Sequence, residues 1–221
     1  MFSHGVLRIS QYISALTGSF SIISSEMHFG WPSSALMTLT NGTYHFQISP
    51  EEASWLAVVL FPGIVVGALV ANILSRSFGR KSIILMSTVP LFVSWLLLGF
   101  GRSKVIFYIG RFLGGVGGGL SFSAVPMYVG EISEPHIRGF LSSLCPVFVV
   151  LGMFFINLLG LYLSISISAL IACGIPLFTF ATFFFMPESP VFLMSKGNQE
   201  QAKKNLLLLR GPENGYKEFQ R

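Results

Sequence analysis

The chain has 221 residues and a formal net charge of +5, yet only 10% of its positions are charged, against roughly 25% in soluble domains. Every acid is Glu and Phe occurs 22 times, and so few charges cannot coat a water-facing surface. These numbers exclude a soluble protein, and the basic residues are too scattered for a nucleic-acid reader.

Taken in chain order, residues 1–10 read as a short cytoplasmic N-terminus carrying Arg8. Residues 11–37 form the least apolar of the long runs. Glu26, His28 and Pro32 interrupt it, but the remainder is too apolar for a soluble helix, so it is expected to span a membrane. It is too long and too polar for a cleavable leader. Residues 55–75 and 82–100 are uncharged and long enough to cross, and 105–127 carry one charge, Arg111. Residues 139–187 carry none. As one helix they would reach about 74 Å, far beyond a hydrocarbon core of ~30 Å. They must turn within "YLSISIS" at 162–168, which gives spans 140–162 and 165–186.

The expected fold class is therefore an all-α membrane protein, with six transmembrane helices bundled over 11–186 and a cytoplasmic amphipathic segment over 187–221. In that segment Asn198 with Gln201 is a helix-start signature, and Ala202, Leu206 and Leu209 share a face. Such a face also suits a helix lying on the membrane surface. Arg76, Arg80, Lys81, Arg138 and the basic tail fall on one side of the bundle, and only Arg102 and Lys104 on the other. That asymmetry places both ends in the cytoplasm. Asn41-Gly42-Thr43 then lies outside as a glycosylation acceptor. Cys145 and Cys173 sit in apolar runs as space-fillers. No metal set, cofactor loop or nucleophile–base pair appears, so neither an enzyme nor a cofactor is expected.

The stretch "GRFLGGVGGGLSFS" at 110–123 raises the one serious alternative, a phosphate-binding loop. No Gly-Lys-Ser/Thr follows it and no strand precedes it. Instead Gly110, Gly114 and Gly118 recur every four residues, as do Gly115 and Gly119, the pattern of a helix face for close backbone packing. Arg111 lies about 9 Å below the start of this helix. A charge at that depth is expected to face a bundle interior or a wet passage. Glu26 is the other intramembrane charge.

"GRFLGG" at 110–115, "PMYVGEISEPHIRG" at 126–139, "PESPVFL" at 187–193 and "RSFGRK" at 76–81 together resemble the sugar porter family of the major facilitator superfamily. "GWPSSALMTL" at 30–39 and "MSKGNQEQAKKNLLLLRG" at 194–211 are similar to its insect trehalose and glucose facilitators. The resemblance implies the N-terminal bundle of that fold, and alternating access to a sugar, in the plasma membrane. It also implies a partner in a C-terminal half or a full-length transporter. By the same resemblance Arg80, Glu131, Arg138 and Glu188 form a cytoplasmic gate network. Phe29 matches an aromatic of the sugar cavity, and Asn157 is a candidate cavity-facing polar group.

The chain departs from the family pattern at Arg76, where Asp, Asn or Glu is usual, at Asn72 for a glycine and at Val191 for an arginine. Pro146 replaces a sugar-contacting glutamine. Pro32 stands where proton-coupled relatives carry the acid that partners the arginine matching Arg111. Facilitated diffusion is thus the expectation. The alternatives are a proton symporter using Glu26 and a non-transporting regulator of a full-length carrier.

Overall fold

The computed structural model describes residues 3–42 and 44–219, with side chains for 9–42 and 44–211. Among them helix follows helix, with no strand. The order is α1 Ser3–Thr40, α2 Pro50–Val58, α3 Leu60–Phe78, α4 Arg80–Phe100, α5 Lys104–Ile132, α6 Pro135–Tyr162, α7 Ile165–Phe183, α8 Pro190–Ser195 and α9 Gln199–Phe219. The turn inside the long uncharged stretch falls at Leu163–Ser164, within the segment the composition marks.

Among the described residues five spans are long and apolar enough to cross a membrane: α2 with α3 as one element, then α4, α5, α6 and α7. The protein is a multi-pass membrane protein. Most of the helices run past the limits drawn from apolarity alone, because hydrogen bonding continues where hydrophobicity stops, whereas α7 ends at Phe183, short of the limit drawn at 186. The largest difference is α1. It takes in most of the segment read as a separate N-terminus and, at 38 residues, extends about 57 Å. It is not among the strongly apolar spans, since Ser14, Ser19, Ser21, Ser24, Ser25, Glu26 and His28 are buried along it. Its polar side faces other helices, so it needs no apolar coat there.

Local signals explain the ends. Ser49 caps α2 reciprocally with Glu52: the Glu52 amide donates to Ser49 Oγ at 3.1 Å and the Ser49 amide to Glu52 Oε2 at 3.1 Å. The helical register lapses at Val59, three residues before Pro62, which has no N–H to offer the preceding turn. Gly79, at φ 84°, turns α3 into α4 in a conformation that other residues rarely adopt.

α5 lies at the centre, packed on α3, α4 and α1, while α1 also packs on α6 and α7. Two apolar clusters fill the bundle. One, toward α8 and α9, includes Ile83, Tyr128, Leu141 and Phe183; the other, toward the opposite end, includes Trp31, Trp95, Phe107 and Ile165. The amphipathic face of α9 (Ala202, Leu206, Leu209) is buried, and α9 packs against α1 and α8. This segment docks on the bundle.

Candidate functional site

The glycines of α5 bring α3 to backbone contact and let the side chains of α1 close in beside them. A Cβ on Gly115 would stand 2.1 Å from the Leu60 carbonyl oxygen and one on Gly119 2.2 Å from that of Ile64, both in α3. Gly63 and Gly67 answer from α3, where a Cβ would meet the carbonyls of Phe112 at 2.3 Å and Val116 at 2.1 Å. Gly114 and Gly118 face α1, against the His28 ring and Ser25 Oγ. Gly110 departs from the expected single face. Its neighbours are the side chains of Leu97 and Leu98 of α4, which a Cβ would meet at a close but not overlapping 3.3–3.4 Å. A four-residue repeat on a 3.6-residue helix rotates about 40° per step, enough to carry the seam from α4 to α1.

These approaches seal Arg111 inside. Only 1% of its surface is exposed. Nη1 donates to the His28 carbonyl, Nε to that of Leu56 at 3.3 Å and Nη2 to that of Ala57 at 3.3 Å. Its guanidinium carbon also lies 5.4 Å from the centre of the Trp31 ring. Among the described residues no carboxylate pairs with it. Arg111 thus faces the bundle interior, one of the two settings expected, within a shell of carbonyl dipoles and an aromatic face. An uncompensated buried guanidinium would cost several kcal/mol, and these contacts offset that cost.

His28 is fixed on the same floor. Its ring stacks on Trp95 with centroids 3.9 Å apart, and Nε2 lies 3.2 Å from Ser94 Oγ. The Ser94 hydroxyl donates its proton to the Gly110 carbonyl at 2.7 Å. It therefore accepts from His28, which places the imidazole hydrogen on Nε2. Trp95 Nε1 donates to Ser24 Oγ at 3.1 Å, so α1 is tied to α4 through two polar contacts.

On the other side of α1 a strip of different chemistry runs along the surface. Glu26 is almost fully buried against α6, its Cβ within 2.7 Å of where a Cβ on Gly152 would be. Phe29, one turn on, meets Phe61 of α3 edge-to-face at 5.9 Å. Ser33, a further turn on, is exposed and donates to Asn157 Oδ1 of α6, while Asn157 Nδ2 donates to the Met153 carbonyl at 2.8 Å. Sequence reasoning named Phe29 and Asn157 separately. It missed Ser33, whose signal was its i, i+4 spacing from Phe29, and Phe61, which only the contact between α1 and α3 brings in.

The gate residues divide into two groups. Arg80 and Glu131 form a close pair, Nη2 to Oε1 at 2.9 Å and Nε at 3.0 Å. Glu188 joins them through the backbone: its Oε1 accepts from the amides of Arg80 at 3.1 Å, Lys81 at 3.0 Å and Ser189 at 2.9 Å. Arg138 does not join this network. It is exposed, in the first turn of α6, and donates to the Ser133 carbonyl at 3.3 Å, which also accepts from Arg210 of α9. Gln11 stitches this second group, donating to the Leu209 carbonyl and accepting from the Glu134 amide, each at 3.0 Å. Asn41 is exposed just beyond α1; Thr43, which completes its sequon, lies outside the described residues, as does the Arg8 side chain.

Close-packed glycine helices and a charge network at one end define a bundle of membrane helices. Solved structures agree on the fold. A proton:xylose symporter, XylE, bound to 6-bromo-6-deoxy-D-glucose superposes with a TM-score of 0.83 at 22% identity, covering 95% of this chain and 52% of that one. The inward-open xylose transporter XylE from E. coli gives 0.73 at 22% identity, over 95% and 54%. The model of the family described as sugar (and other) transporter matches residues 9–221, and the chain belongs to that family. Its relatives include the facilitated trehalose transporters Tret1 of Drosophila willistoni, 31% identical over 92% of this chain and 24% of that one. That of Polypedilum vanderplanki is 30% identical over 91% and 40%. The chain thus spans less than half the length of these relatives.

Proposed function

We propose that this chain is the N-terminal helical half of a carrier, not an enzyme, and that it takes part in moving a sugar across the plasma membrane by facilitated diffusion. The family match over residues 9–221 carries the reading. The strip of Phe29, Ser33, Phe61 and Asn157 supports it: rings can cover the C–H face of a pyranose while the hydroxyl and amide bond to its hydroxyls. The carbonyl shell around Arg111 supports diffusion over proton coupling, since no acid shares the charge. On this reading α1 is a sixth crossing, both ends of the chain are cytoplasmic and Asn41 is accessible for glycosylation. Arg80, Glu131 and Glu188 would anchor a gate at the α8–α9 end, and the partner is a second helical half.

The test is uptake of trehalose and of glucose into vesicles holding this chain alone or together with the C-terminal half of a relative. Saturable uptake is expected only with both halves, with F29A and N157A each lowering it about 10-fold or more by removing a ring contact or an amide hydrogen bond. Stereospecific uptake by the chain alone would overturn the half-carrier reading. Uptake untouched by both substitutions would remove the strip from the sugar path.

A further inference from the structure

A proline inside a helix has no N–H to offer the carbonyl four residues earlier, and its ring pushes that carbonyl aside. Pro32 lies within α1, so the released carbonyl is that of His28, the oxygen to which Arg111 Nη1 donates. The other two acceptors of Arg111 are similar. Leu56 and Ala57 belong to the last turn of α2, whose register α3 does not continue past Val59, just before Pro62. The last carbonyls of an α-helix have no partner within it. All three oxygens that hold the guanidinium are therefore ones that interrupted helices leave open.

Other interior prolines provide the contrast. Pro90, Pro126, Pro146 and Pro176 release the carbonyls of Met86, Phe122, Ser142 and Ala172, and among the described residues none of these receives a side-chain donor. Proline alone does not recruit a partner. The match at His28 needs a buried cation on a helix close enough to reach, and Gly114, packed against the His28 ring, provides that approach.

We propose that Pro32 is a positioning residue that acts through Arg111: by denying the His28 carbonyl its intrahelical donor, it gives the buried guanidinium a fixed, non-titrating acceptor where no carboxylate is present. Arg111 then pins two broken helices, α1 at 28–32 and α2–α3 at 56–62, to α5. The planar fork of arginine suits three divergent oxygens, whereas the single ammonium of lysine does not. Restoring an N–H at position 32 gives that oxygen a second donor and draws it back toward the axis of α1, away from the guanidinium.

The test is a double-mutant cycle on the purified chain in micelles, using P32A, R111K and the pair, read by thermal unfolding. Replacing proline by alanine within a helix ordinarily stabilises it. Here P32A is expected to lower the midpoint by about 4 °C in the parent and to raise it, or leave it unchanged, in R111K. P146A is the control, with the same effect in both backgrounds. A second measurement needs only the P32A chain: the backbone amide gained at position 32 should exchange about tenfold faster than the buried Met27 amide one turn earlier, because its acceptor is shared with Arg111. Additive midpoints, or an amide at position 32 as protected as that of Met27, would overturn the proposal. Both readouts concern the fold alone, so the result is independent of whether the chain carries sugar.

Discussion

Glu188 occupies a junction where three segments of chain meet. Its carboxylate takes the first two free amides of α4, a position where the helix dipole favours negative charge, and its backbone carbonyl accepts from Asn205 of α9 at 2.9 Å. Gly79 allows this approach, since a Cβ there would stand 2.4 Å from Glu188 Oε2. Burial pushes the Glu188 carboxyl above its usual 4.5, while the backbone amides of Lys81, Ser189 and Arg80 pull it back. The net shift is upward, so the folded state disfavours the ionised form. The stabilisation from this group is complete below pH 4.5 and fades as pH rises through the higher folded-state value. Glutamine has no proton to lose. E188Q should therefore match the parent in thermal unfolding at pH 4 and move ahead of it by pH 7, whereas E188A, lacking the acceptor, should cost about 1 kcal/mol at pH 4 and less as pH rises, because alanine does not titrate either. A gap between E188Q and the parent that does not change with pH would contradict this. The motif made Glu188 legible in the sequence, but its partners were not. A side chain gives no sign that it will bond amides far away in the chain, and for the same reason Arg138 was grouped with residues it does not touch.

Between elements, the glycines act through what they leave out. α3 and α5 cross with carbonyls set against α-carbons, and dispersion between backbones replaces the hydrophobic drive that a lipid surround cannot supply. Gly130, also in α5, has open space where its Cβ would be. The two positions separate packing from propensity. G115A must displace the Leu60 carbonyl and should destabilise the chain by about 1–3 kcal/mol, whereas G130A should be neutral or stabilising by up to ~1 kcal/mol, as helix propensity alone dictates. Unfolding of both variants in the same detergent decides it, and equal effects would mean that the seam does not hold the helices. The α5 repeat was readable because glycines every four residues have no other use. Gly63 and Gly67 were not, because either glycine among aliphatic residues looks like an ordinary part of a span. Their meaning came only with the partner helix.

At the scale of the molecule, apolarity told which segments cross and left α1 ambiguous, since a helix shielded by its neighbours can carry serines, a glutamate and a histidine. The outward faces remain apolar, with Val65, Leu69 and Ile73 of α3 and Val150 and Phe154 of α6 exposed. The tryptophans report on this arrangement. Trp31 and Trp95 are sealed in the core, at 1% and 0% exposure, whereas Trp55 is 63% exposed on α2, near the end of its span. An indole at such a position belongs to the interfacial aromatic belt. In bilayers of lipids brominated near the headgroup, fluorescence quenching should therefore come mainly from Trp55, and W55F should remove most of it. Bromines placed at the bilayer centre should quench the parent weakly, because the remaining indoles lie behind a layer of helices. The expectation discriminates between arrangements. If α1 lay on the membrane surface instead of within the bundle, Trp31 would meet lipid and quenching would persist in W55F. Loss of the signal with Trp55 would put α1 behind its neighbours, where the buried serines, His28 and Arg111 require it to be.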